Sequence, residues 1–251
     1  VDLYGRIDYT SHTFGLAWDK RWPGAGYNRL SLSTSTIAWL NDNYFVSTDD
    51  TMFVNDSRER SFTLRNAGRF SLAGSVDILL GGEVEYLAAD YDFVVHPFQD
   101  EGGYFKRTVR VDQTEYVTSL GLWTGFAWQP ARFLSLDIGS RLDRFGYSRH
   151  VRYSPRAALT LRFGERTSVH LGAGLYYQSL PAMILFPHEE NMDLREPKAV
   201  QLMAGFSYRP AENITVSLEG FAKTYRSLPM DSTMPTVFVL DELVYDYGFI
   251  P

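Results

Sequence analysis

Apolar and polar residues alternate with a period of two along most of this chain, and helical periodicity is nearly absent. In 76–86, Val76, Ile78, Leu80, Val84 and Tyr86 share one phase, while Asp77, Glu83 and Glu85 share the other. In 198–209, Val200, Leu202, Ala204, Phe206 and Tyr208 oppose Gln201, Ser207 and Arg209. The runs 134–143, 168–176 and 213–223 repeat the pattern. This alternation predicts about eleven or twelve strands. They fall near 1–9, 12–22, 28–40, 59–72, 75–89, 108–129, 132–144, 154–164, 166–177, 198–210, 213–225 and 236–247.

Strand length and connection order narrow the fold class. Many of these strands are at least as long as the roughly 9–11 residues that cross a bilayer. Short turns are expected at Ala73-Gly74, Gln129-Pro130-Ala131, Gly164-Glu165 and Pro210-Ala211-Glu212. They interleave with longer polar connections near 41–58, 90–107, 178–197 and 226–235, and with a shorter one near 145–153 in the same alternating order. All long loops then sit at one end, as in outer-membrane barrels. The expected class is all-β, an antiparallel up-and-down transmembrane β-barrel. A soluble β-sandwich explains the alternation equally well, but not the strand length. The junction at Thr10-Ser11-His12 reads as a break between two strands.

Composition sharpens that reading. Of 251 residues, 15% are aromatic, with 16 Tyr, 17 Phe and 5 Trp. Trp18, Trp22, Trp128, Phe163, Phe206, Tyr208 and Tyr225 gather near strand ends, where interfacial girdles belong. The opposite phase carries Arg65, Arg69, Glu83, Glu85, Asp137, Arg141, Asp143, Arg162, His170, Glu219 and Lys223, which would line a wet or plugged lumen. The 24 basic and 30 acidic residues give a net charge of -6, which argues against a nucleic-acid partner. The absence of cysteine excludes disulfides, thiolate metal sites and cysteine nucleophiles.

Candidate chemistry is sparse. His188-Glu189-Glu190 could bind a divalent cation, but no second histidine sits at ligand spacing, and a solvated loop is the simpler reading. Asp49-Asp50 and Asp90-Tyr91-Asp92 lack the spacing of a calcium loop. His170 with Ser168 and Asp137 or Asp143 could be drawn as a triad, yet a lone lumen histidine is usually a lining residue. Glu83 and Glu85 could form an acid–base pair, but ion pairing with Arg65 or Arg69 on the preceding strand fits their register better. Gly172-Ala173-Gly174 lies inside a strand and is no phosphate loop. The expectation is therefore no enzyme, no metal and no cofactor.

From residue 137 onward a family resemblance appears. It is carried by Gly139-Ser140-Arg141-Leu142-Asp143, then Tyr153-Ser154-Pro155-Arg156, then 166–174 running into Tyr176-Tyr177-Gln178-Ser179-Leu180-Pro181. Leu194-Arg195-Glu196-Pro197-Lys198-Ala199-Val200-Gln201 and 213–225 complete it. In this order the blocks resemble the barrel of TonB-dependent outer-membrane receptors, with Glu196-Pro197 reversed from the family's Pro-Glu. The resemblance implies a barrel of about 22 strands around a plug, of which residues 1–251 supply a partial barrel. No plug or TonB box is recognised, and both ends read as truncated. It implies active uptake of a siderophore-iron complex, cobalamin, glycan or peptide across a Gram-negative outer membrane. The implied partners are lipid, TonB acting through the plug, and the nutrient, with a surface lipoprotein left open. Cargo contacts are expected at Tyr176, Tyr177, Gln178, His188, Glu189 and Glu190, and plug contacts at Arg65, Glu83, Glu85, Arg141 and Asp143. The alternatives are a stand-alone channel or barrel enzyme of about twelve strands, and a soluble β-sandwich binding module.

Overall fold

The computed structural model describes residues 3–46, 50–96, 98–99, 105–106, 108–148, 150–186 and 189–229. The strands are β1 (Leu3–Trp22), β2 (Gly26–Phe45), β3 (Thr51–Ala73), β4 (Val76–Val95), β5 (Phe98–Gln99), β6 (Phe105–Lys106), β7 (Val109–Ala131), β8 (Leu134–Arg144), β9 (Val151–Phe163), β10 (Thr167–Tyr177), β11 (Lys198–Ala211) and β12 (Ile214–Arg226). All except the small β5–β6 pair form one antiparallel ten-stranded sheet in chain order. A short helix α1 (Ala182–Leu185) and a 3-10 turn (Glu189–Asp193) lie between β10 and β11. The expected strand at 236–247 lies outside the described residues.

The up-and-down order places all tight turns at one end of the sheet. Gly24 in the first turn adopts φ 72°, a left-handed conformation that glycine enters without a Cβ penalty. Two of the turns keep a proline inside a strand. Pro130 and Pro210 each fall at a register shift, between Trp128 and Ala131 and between Tyr208 and Ala211. A bulge tolerates a residue that cannot donate to the ladder. At the other end of the sheet lie the longer connections.

Register fixes which residues share a face. Leu16, Leu32, Leu64, Val84 and Leu120 form one cross-strand row over β1, β2, β3, β4 and β7. The adjacent row on the other face reads Ala17, Ser31, Arg65, Glu83, Gly121 and Asp143. One face is thus aliphatic and the other polar. The aliphatic face has no protein cover: Leu16 is 74% exposed and Leu218 is also 74% exposed. A continuous apolar surface on this scale requires an apolar solvent. Aromatic rings border it. Trp22 meets Phe70 with ring centroids 6.0 Å apart near the turns, and Tyr86 stacks on Tyr116 at 6.2 Å on the far side. The stretch of β4 between these borders, Val76 to Tyr86, matches the roughly 9–11 residues of a bilayer crossing. Tyr225 departs from the expected girdle: it pairs with Ala199 and lies on the polar phase.

Three expectations about element boundaries change. The strand Leu3–Trp22 is uninterrupted, and Thr10, Ser11 and His12 pair in steady register with Ala38, Ile37 and Thr36. The expected loops 41–58 and 90–107 are partly strand, because β2 runs on to Phe45, β3 begins at Thr51 and β4 runs on to Val95; β2, β3, β4 and β7, the last near its expected bounds, each run 20–23 residues. By contrast β8 to β12 run 11–14 residues. The long strands were hidden by a reversal of hydrophobic phase. In β4 the apolar residues up to Tyr86 lie on the outer face; beyond it Ala89, Tyr91, Phe93 and Val95 are buried on the inner face, while Asp90 and Asp92 point outward. The register with β7 stays unbroken throughout. The strand leaves lipid on its outside and gains a protein core on its inside.

Self-closure as a barrel of about twelve strands would pair β1 with the last strand. Among the described residues β1 pairs with β2 alone, and β12 with β11 alone.

The two-faced register predicts that Leu64→Arg destabilises the membrane-inserted protein by about 2–4 kcal/mol. Ser61→Arg, on the polar phase of the same strand, changes stability by about 0.5 kcal/mol or less. Urea unfolding of the whole protein in lipid vesicles measures both.

Candidate ligand mouth and inner wall

The polar face holds a compact charged cluster where β3, β4, β7 and β8 meet. Arg141 donates from Nε to Asp143 Oδ1 at 2.6 Å and from Nη2 to Glu83 Oε1 at 2.5 Å. Arg65 Nη1 lies 3.9 Å from Glu83 Oε2. Trp123 sits between the two arginines, with guanidinium carbons 5.0 Å and 5.2 Å from its ring centre. Glycines make the space: a Cβ on Gly81 would fall 2.2 Å from the Trp123 ring, and one on Gly121 would fall 2.3 Å from Arg141 Nη2. Four of the five expected inner-wall residues, Arg65, Glu83, Arg141 and Asp143, therefore form one network. Glu85 lies two positions along the same face, opposite Thr63 and Ser119. Arg69 instead clamps Asp77, which also accepts from Ser71 Oγ at 2.6 Å. Sequence reading passed over Trp123; its signal was a tryptophan on the polar phase opposite a glycine.

His170 is also on the polar face. Thr160 Oγ1 lies 3.1 Å from its Nδ1, and Ser168 Oγ lies 3.0 Å from its Nε2. Its strand partners are Thr160 and Gly205, whereas Asp137 pairs with Ala158 one strand further away. No carboxylate orients the ring among the described residues, so the Ser–His contact lacks the third member of a triad. The same residues contain no group of three His, Cys, Asp or Glu able to hold a metal. Asp90-Tyr91-Asp92 is a stretch of β4 rather than a loop.

The long connection between β10 and β11 builds the mouth. Its base is closed where Gln178 N donates to the Pro197 carbonyl at 3.1 Å. Its tip carries α1 back onto the inner face of the tall strands. Leu180, Ala182, Leu185 and Phe186 pack there with Phe53, Ala89, Tyr91, Phe93, Val95 and Val111. The Phe186 ring lies 6.2 Å from Tyr91, and Gln113 Nε2 donates to the Phe186 carbonyl. Leu180 N donates to Tyr147 Oη at 3.0 Å, tying the loop to the β8–β9 connection. Asn191 Nδ2 donates to the Ile184 carbonyl at 2.7 Å and holds the tip together.

A buried ion pair sits at the loop's return. Glu196 is fully buried and accepts from Arg152 Nε at 2.5 Å. Burial pushes its carboxyl up, but Ser148, a backbone N–H and Arg152 outweigh burial and hold it below the ordinary glutamate value. Arg152 also lies 5.7 Å from the centre of the Tyr177 ring.

The expected cargo residues separate in this arrangement. Tyr176 lies on the polar face, and its ring covers Gly174, where a Cβ would fall 2.7 Å away. Tyr177 and Gln178 belong to the loop base. Glu189 and Glu190 begin the 3-10 turn, and His188 lies outside the described residues. The structural anchors Tyr147, Arg152, Phe186 and Glu196 were not singled out from sequence. Only Glu196 had a visible signal, its place beside Pro197.

Comparison with known proteins places this geometry. A family model described as "TonB dependent receptor-like, beta-barrel" matches residues 2–247. A search of curated protein sequences finds no match. Among solved structures, the copper transporter OprC superposes with a TM-score of 0.68 at 14% identity, covering 88% of this chain and 40% of that one. The ferric enterobactin receptor PfeA of Pseudomonas aeruginosa gives 0.69 at 15% identity, covering 88% and 35%. The outer-membrane transporter YddB of Escherichia coli gives 0.63 at 14%, covering 90% and 36%. At these identities the likeness is one of fold, and the chain spans well under half the length of each.

The Glu196 pair predicts an acid-sensitive loop. Because the folded carboxyl titrates below its unfolded value of about 4.3, its contribution is complete above that value and is lost as pH falls through the depressed one. Cleavage of the β10–β11 loop by an acid-active protease therefore accelerates as pH falls through the depressed value, and tryptic cleavage after Arg195 accelerates at neutral pH in Glu196→Gln. Leu185→Ala loosens the same docking by about 2–5 kcal/mol, read as faster amide exchange in α1.

Proposed function

The chain belongs to the TonB-dependent receptor-like β-barrel family, and from that membership we propose that it forms part of the wall and mouth of a nutrient receptor in a Gram-negative outer membrane. The apolar face meets lipid, and the polar face meets a plug that occupies the lumen. The open edges of β1 and β12 pair with further strands of the whole receptor, so that residues 1–251 contribute to a barrel of about 22 strands. The barrel performs no bond chemistry; transport energy reaches the plug through TonB.

The observation that carries this reading is the β10–β11 loop folded over the polar face. A wall that only needed to seal the bilayer has no use for a loop with its own apolar tip. A loop docked across the mouth can select what enters. Tyr176, exposed on the polar face beneath it, is placed to contact cargo; Glu189 and Glu190, which begin the 3-10 turn, and His188, which lies outside the described residues, are the further candidate contacts. Tyr177 and Gln178 set the loop's base and act on cargo through its position. Siderophore-iron complexes, cobalamin, glycans and peptides remain the candidate classes. The names of PfeA and OprC add metal chelates and copper.

The test is growth of cells dependent on the whole receptor, supplied in turn with each cargo class as the sole scarce source. One class supports growth, and growth disappears both without TonB and on removal of residues 182–193. Growth that persists without TonB identifies a passive channel instead. A protein that leaves the membrane without detergent removes the receptor reading altogether.

A further inference from the structure

The lipid-facing phase of β8 to β12 carries three charged residues, and all are cations at the mouth end of a strand. Arg144 closes β8, Lys198 opens β11 and Arg226 closes β12. Register puts Arg144 in the aliphatic row of Leu64, Val84 and Leu120, and sets Lys198 directly opposite Arg226. At the turn end the same phase finishes on Leu134, Phe163, Thr167, Tyr208 and Ile214, without charge. None of the three cations has an ion-pair partner among the described residues. The tall strands differ: above Tyr86 their outward phase mixes Arg58 and Arg60 with Asp90 and Asp92, and Arg60 approaches Asp90 at 3.8 Å. Below the cations the face of the low strands is hollowed by a groove of about 590 Å³ over β7 to β11. Ala157 pairs with Ala173 in its floor, and Phe126, Tyr153, Leu175 and Leu202 line it. The lining reaches Val200, the neighbour of Lys198 on that phase of β11.

We propose that this outer face holds one phosphate-bearing lipid of the leaflet on the mouth side, its phosphate taken by Lys198 and Arg226 and an acyl chain laid in the groove, with Arg144 flanking the headgroup. The inference rests on the apolar face meeting lipid and goes beyond the receptor reading, because it gives the wall a ligand of its own. Charge selects the occupant. Like charges directly opposite each other weaken a strand pair, and an anion between them reverses the sign. Lys and Arg stems lie along apolar surface with their charged heads at headgroup level, where phosphate oxygens accept charge-assisted bonds. A second copy packed here through a twofold contact would bring the same cations toward these. Shape agrees: the small floor of Ala157 and Ala173 lets a chain lie between larger side chains, directly below the cations that hold its headgroup.

The experiment is native mass spectrometry of the full-length receptor in detergent, titrated with bisphosphorylated lipid A and, separately, with the same lipid after its phosphates are removed. The phosphorylated form stays bound through detergent exchange, and the phosphate-free form does not. Lys198→Gln combined with Arg226→Gln weakens binding about tenfold, while Lys198→Arg keeps it. Ala157→Trp, which fills the groove without changing charge, weakens it as well. If the double variant fails to assemble, raised salt on the unaltered receptor serves instead, and binding falls with ionic strength. Equal binding of the two lipid forms, binding indifferent to both the charge variants and salt, or a receptor dimer that excludes the lipid overturns the inference and leaves the receptor reading standing. A protein that stays in solution without detergent overturns the lipid-facing wall itself.

Discussion

Every backbone N–H and C=O that enters hydrocarbon must find its partner within the protein, because lipid offers none. The ten-stranded meander answers this constraint strand by strand, with ladders along tall strands of 20–23 residues. The side-chain pattern follows from it. Once strands stand side by side, alternation gives one face to lipid and one to the interior, and the charged network around Trp123 can form only on the second. The two prolines next to the tight turns comply, since Pro130 and Pro210 sit at bulges where a missing donor breaks no regular pair. The same constraint makes the edges of β1 and β12, which meet no further strand among the described residues, the least self-sufficient part of the sheet.

Much of this was legible in the sequence, and the reasons are specific. The membrane-crossing segments keep a single apolar phase, so Val76 to Tyr86 and Val200 to Tyr208 announce themselves. The pairing of Glu83 with Arg65 follows from two strands joined by a tight turn. The upper parts of β3 and β4 were not legible, because their apolar phase flips from the outer to the inner face above Tyr86. A pattern search that assumes one buried side reads such a flip as a loop. Tyr225 was misplaced for a related reason: aromatic residues near strand ends suggest a girdle, but only register says which face they occupy.

The mouth was the least readable region. Its inner core joins residues far apart in the chain, Phe53 and Phe93 with Leu185 and Phe186, and no local pattern marks such a meeting. The anchoring pair Arg152 and Glu196 is likewise separated by the whole of β10 and the loop. A charged residue beside a proline looks like surface until its partner is known. The residues expected from sequence to meet cargo gather around one connection, but no local pattern separates Tyr176, which lies on the polar face of β10, from Gln178, which fastens the base of the loop.

The unequal strand lengths have a consequence for how such a wall changes over time. Strands β2, β3, β4 and β7 stand well above β8 to β12, so the rim is slanted, and the β10–β11 loop rises from its low side. The loop leans on the tall side through side-chain packing rather than through ladder hydrogen bonds. Its length and tip can therefore drift by insertion or substitution without disturbing a single rung of the sheet. If the loop selects cargo as proposed, selectivity and membrane residence are written in separate parts of the chain, and one can be revised while the other is kept.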